Sequence, residues 1–167
     1  MDVVILCGGM GSRLSEETIL KPKPMIKLGD KPILWHIMKY YSLFGCNRFI
    51  LTLGYKAQTI INYFQNKNSD FFKTSEHKQW KIILKDTGLN TLKGARIKRI
   101  QKYIKSEDFH LTYGDGVSNV NIEMLTNFHK KHKKIGTLTA VHPPSRFGEI
   151  KIVNDQVTCF NEKSQMG

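Results

Sequence analysis

Val3-Val4-Ile5-Leu6-Cys7-Gly8-Gly9-Met10-Gly11-Ser12-Arg13 is the stretch that decides the fold. An apolar run too short for a helix, broken at once by glycines, reads as a buried strand emptying into a tight loop. Glycine permits positive φ and lets a ligand approach the main chain, so successive amides can converge on phosphate oxygens. Arg13 and, further on, Lys23 add fixed positive charge, which makes a phosphate chain the natural guest. Two familiar phosphate loops are excluded. The dinucleotide fingerprint needs G-x-G-x-x-G and an acidic residue at the end of the next strand; Gly8-Gly9-x-Gly11 is spaced differently, and the next strand runs into Leu53-Gly54-Tyr55. The P-loop needs lysine directly after its last glycine, and Lys23 comes well after Gly11. A plain strand-to-helix turn remains the alternative for the glycine pair alone.

Working outward, Pro32 opens a helix over Ile33–Phe44 that Gly45 stops, and Arg48–Leu53 is β-branched and aromatic enough for a strand. Lys56–Gln65 reads as a helix, Asn66–Lys78 as a loop, Trp80–Leu84 as a strand and Lys93–Lys105 as a helix. Phe109–Tyr113 is a strand running into Gly114-Asp115-Gly116, and Ile122–His132 a further helix. Gly136–Val141, Gly148–Val153 and Val157–Phe160 are expected to be strands, with turns at Pro143-Pro144 and Asn154-Asp155. Alternating strands and helices predict a parallel sheet with right-handed crossovers. Ligands of such sheets sit beyond the strands' carboxyl ends, so Asp115 reaches the same edge as the glycine loop. Its alternative is a conformational role in a Gly-Asp-Gly turn.

With 167 residues, the chain is long enough for one domain with a real core. The first apolar run is short and interrupted, so neither a targeting signal nor a membrane span is expected. Cys7, Cys46 and Cys159 lack C-x-x-C spacing and fit reduced thiols of a cytoplasmic protein. The formal net charge of +12 gathers in Lys93–Lys102 and His129–Lys134. Ile97, Ile100 and Ile104 recur at helical spacing, which puts the lysines of the first run on a solvated face, a face that is also the alternative setting for Arg96. The second run suits a helix C-terminus. No nucleic-acid partner is expected, although a basic interaction module is the competing reading of this charge.

Leu6-Cys7-Gly8-Gly9-Met10-Gly11-Ser12-Arg13-Leu14, Lys21-Pro22-Lys23-Pro24-Met25 and Gly29-Asp30-Lys31-Pro32 together resemble the opening of the sugar-phosphate nucleotidyltransferase family. Lys31–Met38, Leu53–Lys56, Asp86-Thr87-Gly88, Thr112–Gly116 and Arg146-Phe147-Gly148 extend the resemblance over essentially the whole chain, toward the cytidylyltransferase branch. The resemblance implies a Rossmann-like three-layer α/β/α fold with a mostly parallel central sheet. It implies transfer of CMP from CTP to glucose 1-phosphate, with Mg²⁺, in a cytoplasmic homo-oligomer supplying nucleotide-sugar, O-antigen biosynthesis. A uridylyl- or thymidylyltransferase of the same family and a non-catalytic nucleotide-binding remnant stay open.

In that reading the Leu6–Ser12 backbone receives the triphosphate, Arg13 the leaving pyrophosphate and Lys23 the α-phosphate, while Asp115 binds the metal. Thr87, Gly88, Thr91, Arg96 and Gly114 are carried over as nucleotide-binding, and Lys163, within Glu162-Lys163, approaches the sugar phosphate. Residues 1–167 are then expected to form a single domain lacking the family's C-terminal portion, which would add the rest of the sugar pocket and a second metal aspartate.

Overall fold

The first strand, β1 (Asp2–Leu6), lies inside the sheet order β5-β4-β1-β6 of the computed structural model, in which residues 1–9, 21–65, 80–141 and 148–161 are described. Its neighbours are β4 (Arg48–Leu53) and β6 (Phe109–Tyr113), with β5 (Lys81–Asp86) beyond β4, and all three pairings are parallel. Val3, Val4 and Ile5 are fully buried. A strand apolar on consecutive positions has no face to give to water, so helices must cover both sides. The helices do so. Val3, Ile5, Phe49 and Leu51 pack with Leu34, Ile37 and Met38 of α1 (Ile33–Leu43) and with Ile60 and Phe64 of α2 (Ala57–Gln65). The opposite parity, Val4 and Ile50, packs with Ile100 of α3 (Lys93–Ile100) and with Ile83, Ile104 and Phe109. The result is the expected three-layer α/β/α arrangement around a parallel sheet.

Between β1 and α1 come a 3₁₀ turn at Lys23–Met25 and a small hairpin of β2 (Lys27–Leu28) and β3 (Lys31–Pro32). Gly45, at φ +77°, ends α1 as the sequence predicted. Its N–H bonds Ser42 O at 3.1 Å and that of Cys46 bonds Tyr41 O at 3.2 Å, so the last helical carbonyls are satisfied.

The chain divides into two compact units, Met1–Met124 and Leu125–Gly167. Everything above belongs to the first. The second carries most of α4 (Ile122–His132) and an antiparallel hairpin of β7 (Glu149–Val153) and β8 (Gln156–Asn161), whose turn holds Asn154 and Asp155 at positive φ.

Two expectations need correction. Gly136–Val141 forms no strand. The Thr137 hydroxyl is instead engaged by His129 Nδ1 at 2.8 Å and His132 Nε2 at 2.7 Å. The helix expected over Lys93–Lys105 is α-helical only to Ile100 and tightens into a 3₁₀ turn at Gln101–Tyr103. Here a long-range carboxylate competes with the helix. The Lys105 N–H donates to Asp2 Oδ2 at 2.6 Å, and Arg48 bonds both Asp2, at 2.5 Å, and the Tyr103 carbonyl, at 2.6 Å.

Asp2 is 4% exposed. Burial opposes its ionisation, but the N–H groups of Lys105 and Ser106 and the Arg48 guanidinium outweigh it, holding the carboxyl below its ordinary value of 3.8. A depressed folded-state value means the ion contributes stability above the ordinary value and loses it as pH falls through the folded one. Asp2→Asn is therefore expected to lower stability by about 3–5 kcal/mol at pH 7 by leaving the Arg48 guanidinium without its counter-charge. In urea unfolding, the difference from wild type should shrink as pH falls below about 4.

Candidate active site

At their carboxyl ends the sheet strands finish level, and the main-chain ladder runs one residue further: Cys7 N–H to Thr52 O, Thr87 N–H to Leu53 O and Gly114 N–H to Leu6 O, each 3.0 Å. A cavity of about 840 Å³ opens over this edge. Its walls are Leu6–Gly9 after β1, Lys23 and Pro24 of the 3₁₀ turn, Leu89–Lys93 and Arg96 after β5, and Tyr113 and Asp115 after β6. Residues far apart in sequence thus meet where the strand-end rule put them.

Lys23 Nζ stands 3.8 Å from Asp115 Oδ2, with the two side chains 20% and 42% exposed. An ion pair this long and this wet contributes little to stability. Its importance is placement, since it brings an ammonium and a carboxylate to one cavity. Gly9 is exposed, and a Cβ on it would meet nothing within 4 Å among the described residues. Beneath the loop, burial pushes the Cys7 thiol far up, and the Asp115 charge adds to the effect. Cys7 is accordingly a neutral packing group and not a nucleophile.

Gly8 is glycine for a reason the sequence did not disclose. Neither Gly8 nor Gly9 adopts positive φ, contrary to the expectation for this loop. A Cβ on Gly8 would lie 2.2 Å from Arg96 Nη1, and one on Gly54 2.7 Å from the same atom. The guanidinium occupies that space. It donates to Leu53 O at 2.8 Å, Thr87 Oγ1 at 2.6 Å, Gly8 O at 3.0 Å and Leu89 O at 3.1 Å. Arg96 is 5% exposed, which excludes the solvated face that was the alternative to its nucleotide-binding assignment. Burial lowers its basicity, Asp86 opposes that and Arg99 adds to it. Arg99 donates to Thr87 O and, at 2.6 Å, to Thr91 Oγ1.

The remaining sequence candidates separate clearly. Thr91 lines the cavity. Thr87 is 2% exposed and donates to Leu53 O at 2.7 Å, which puts it behind the wall. Gly88 sits at φ +88° in the same turn, and Gly114 is packed against Pro24 and Cys7. Met10, Gly11, Ser12, Arg13 and Lys163 lie outside the described residues. The cavity also includes residues that sequence reasoning missed: Leu89, Asn90, Leu92, Lys93 and Tyr113. Tyr113 is half exposed, and Lys93 Nζ lies 5.3 Å from its ring centroid. The strand-end rule that located Asp115 also applies to Tyr113, whereas Lys93 was hidden in a run of lysines.

Among the described residues no three His, Cys, Asp or Glu side chains cluster to hold a metal. Asp115 is the acidic member of the described cavity wall. Mg²⁺ is commonly held by one or two carboxylates together with phosphate oxygens. A part-exposed carboxylate on the cavity wall fits that mode, so Asp115 could hold such an ion.

Fold and cavity define the class: an open α/β protein with a cationic cavity at the carboxyl edge of a parallel sheet. The chain belongs to the nucleotidyl transferase family, whose profile matches residues 2–166. It is 48% identical to the glucose-1-phosphate cytidylyltransferase of Salmonella typhi, over 98% of this chain and 69% of the relative. It is 39% identical to a probable glucose-1-phosphate cytidylyltransferase of Bacillus subtilis, with the same coverages. Among solved structures it resembles HddC from Yersinia pseudotuberculosis, known also in a complex with GMP-PN, at TM-score 0.67 and 29% identity over 97% of this chain and 69% of that one.

Buried Gly114 and exposed Gly9 should behave differently on substitution. A Cβ on Gly114 would come within 2.8 Å of Pro24 Cγ and 2.9 Å of Cys7 Sγ, so Gly114→Ala should cost about 1–3 kcal/mol in chemical unfolding. Gly9→Ala should stay within about 0.5 kcal/mol of wild type.

Proposed function

We propose that the protein transfers CMP from CTP to glucose 1-phosphate, giving CDP-glucose and pyrophosphate. Lys23 and Asp115 meeting beside the open face of Gly9 is the observation that carries the reading, and the cytidylyltransferase relatives support the choice of base and sugar. A phosphate oxygen of glucose 1-phosphate attacks the α-phosphorus of CTP. The new P–O bond forms as the bond from the α-phosphorus to the bridging oxygen breaks, and pyrophosphate leaves with that electron pair. Both reactants are polyanions, so catalysis consists largely of holding them in line and compensating their charge.

Lys23 supplies an ammonium to the α-phosphate, where negative charge develops. The amides after β1 hold the triphosphate, with Arg13 assigned to the departing pyrophosphate and Lys163 to the sugar phosphate. Thr91 and the Leu89–Leu92 wall flank the nucleoside. Bound at Asp115, Mg²⁺ would supply charge neutralisation between phosphate oxygens. We take the enzyme to act in the cytoplasm as a homo-oligomer; no described helix is long and apolar enough to cross a membrane.

Pyrophosphate release from CTP, UTP, dTTP and GTP with glucose 1-phosphate and Mg²⁺ tests the assignment. Turnover should be fastest with CTP, and absence of turnover with every triphosphate would defeat it. Lys23→Ala should lose about 2.7–4 kcal/mol of transition-state stabilisation, or two to three decades in kcat/KM. Asp115→Asn should raise the Mg²⁺ concentration needed for half-maximal rate.

A further inference from the structure

Arg96 is buried against glycine main chain, at the wall of the cavity proposed for the nucleotide, and its terminal nitrogens are already committed. A guanidinium carries five N–H donors. Four are accounted for by Leu53 O, Thr87 Oγ1, Gly8 O and Leu89 O. To bind a nucleotide through either terminal nitrogen it would have to give up one of these charge-assisted bonds, three of which are buried.

Those acceptors belong to the segments following three different strands: Gly8 after β1, Leu53 at the end of β4, and Thr87 and Leu89 after β5. Leu53 O and Gly8 O each also accept a main-chain N–H, from Thr87 and Tyr55, and oxygens drawn together at one point repel one another. One delocalised cation with a planar, forked donor set answers all of them at once, and a lysine ammonium cannot reproduce that geometry. Gly8 and Gly54 carry no side chain where the guanidinium lies, so the sequence has made room for it on both sides. Arg99, one turn along α3, ties Thr87 O and Thr91 Oγ1 to the same helix.

We infer that Arg96 is a positioning residue: it clasps the glycine loop to the Leu53 and Thr87–Leu89 turns and so sets where the loop amides face, without itself touching the nucleotide. The consequence for activity rests on the reaction proposed above, but the clasp does not, and the two can be tested separately.

Amide exchange followed by NMR on the nucleotide-free chain reads the clasp directly. Tyr55 N–H bonds Gly8 O at 3.3 Å and Thr87 N–H bonds Leu53 O at 3.0 Å, so these amides report on two carbonyls that Arg96 holds. Arg96→Lys keeps the charge and loses the fork. It should accelerate exchange at Tyr55 and Thr87 by about tenfold or more, leave Val4 and Ile50 unchanged, and weaken CTP binding on the order of tenfold. Gly8→Ala, which displaces the guanidinium from the other side, should give the same exchange pattern, and serves if Arg96→Lys does not fold. Unchanged exchange at Tyr55 and Thr87 would overturn the inference, because any loss of CTP binding would then come from direct contact. Equal acceleration at Val4 and Ile50 would overturn it too, since Arg96 would then support the fold as a whole. Failure of the wild-type chain to bind CTP would defeat the proposed function while leaving the exchange result to decide the clasp.

Discussion

The burial of β1 on both faces is the constraint on which the rest depends. Val3, Val4 and Ile5 have no contact with water, so the strand must be paired on both edges and covered on both sides. Once β4 and β6 flank it in parallel, chain direction dictates that Cys7-Gly8-Gly9, Gly54-Tyr55, Thr87-Gly88 and Gly114-Asp115 all emerge at one edge. An antiparallel partner in place of β6 would send Asp115 to the other end of the sheet. The functional cavity thus follows from the hydrophobic pattern of a few residues plus the right-handed crossover rule, before any polar group is considered.

Charge then specialises that edge. Three main-chain carbonyls and one hydroxyl are drawn onto Arg96, a second arginine holds the neighbouring turn, and Lys23 faces Asp115 across the opening. The buried guanidinium is tolerated because its terminal N–H groups are used; an unpaired one at the same depth would cost several kcal/mol. Placing a bound cation under a loop that also offers amides leaves the cavity floor positive without a mobile side chain. In the proposed reaction this preorganisation is what two polyanions require, as the charges are set before either substrate arrives.

Much of this was legible in the sequence, for physical reasons that can be named. The short apolar run followed by glycines located β1 and its loop, Gly45 located the end of α1, and the strand-end rule brought Asp115 to the glycine loop. What the sequence concealed was interaction at long range. Arg96 sits among lysines at helical spacing, which left a solvated face open beside its nucleotide-binding assignment, because nothing local shows that Gly8, Gly54 and Thr87 vacate and satisfy a buried site for it. The early end of α3 depends likewise on Asp2, about a hundred positions away in the chain. Gly136–Val141 has strand composition, but a strand needs a partner, and its Thr137 is claimed by two histidines. The glycines themselves were placed correctly but for the wrong reason: at Gly8 the need is space for a guanidinium, not positive φ.

The central claim is that a nucleotide's phosphates enter at the carboxyl edge, between the loop after β1 and the Lys23–Asp115 pair. A titration of the isotope-labelled chain with CTP and Mg²⁺, followed by amide chemical shifts, tests it most directly. The account predicts saturable shifts concentrated at Gly8, Gly9, Lys23, Thr91 and Asp115. Shifts confined to the lysine- and histidine-rich end of α4, with Gly9 and Asp115 unmoved, would contradict it.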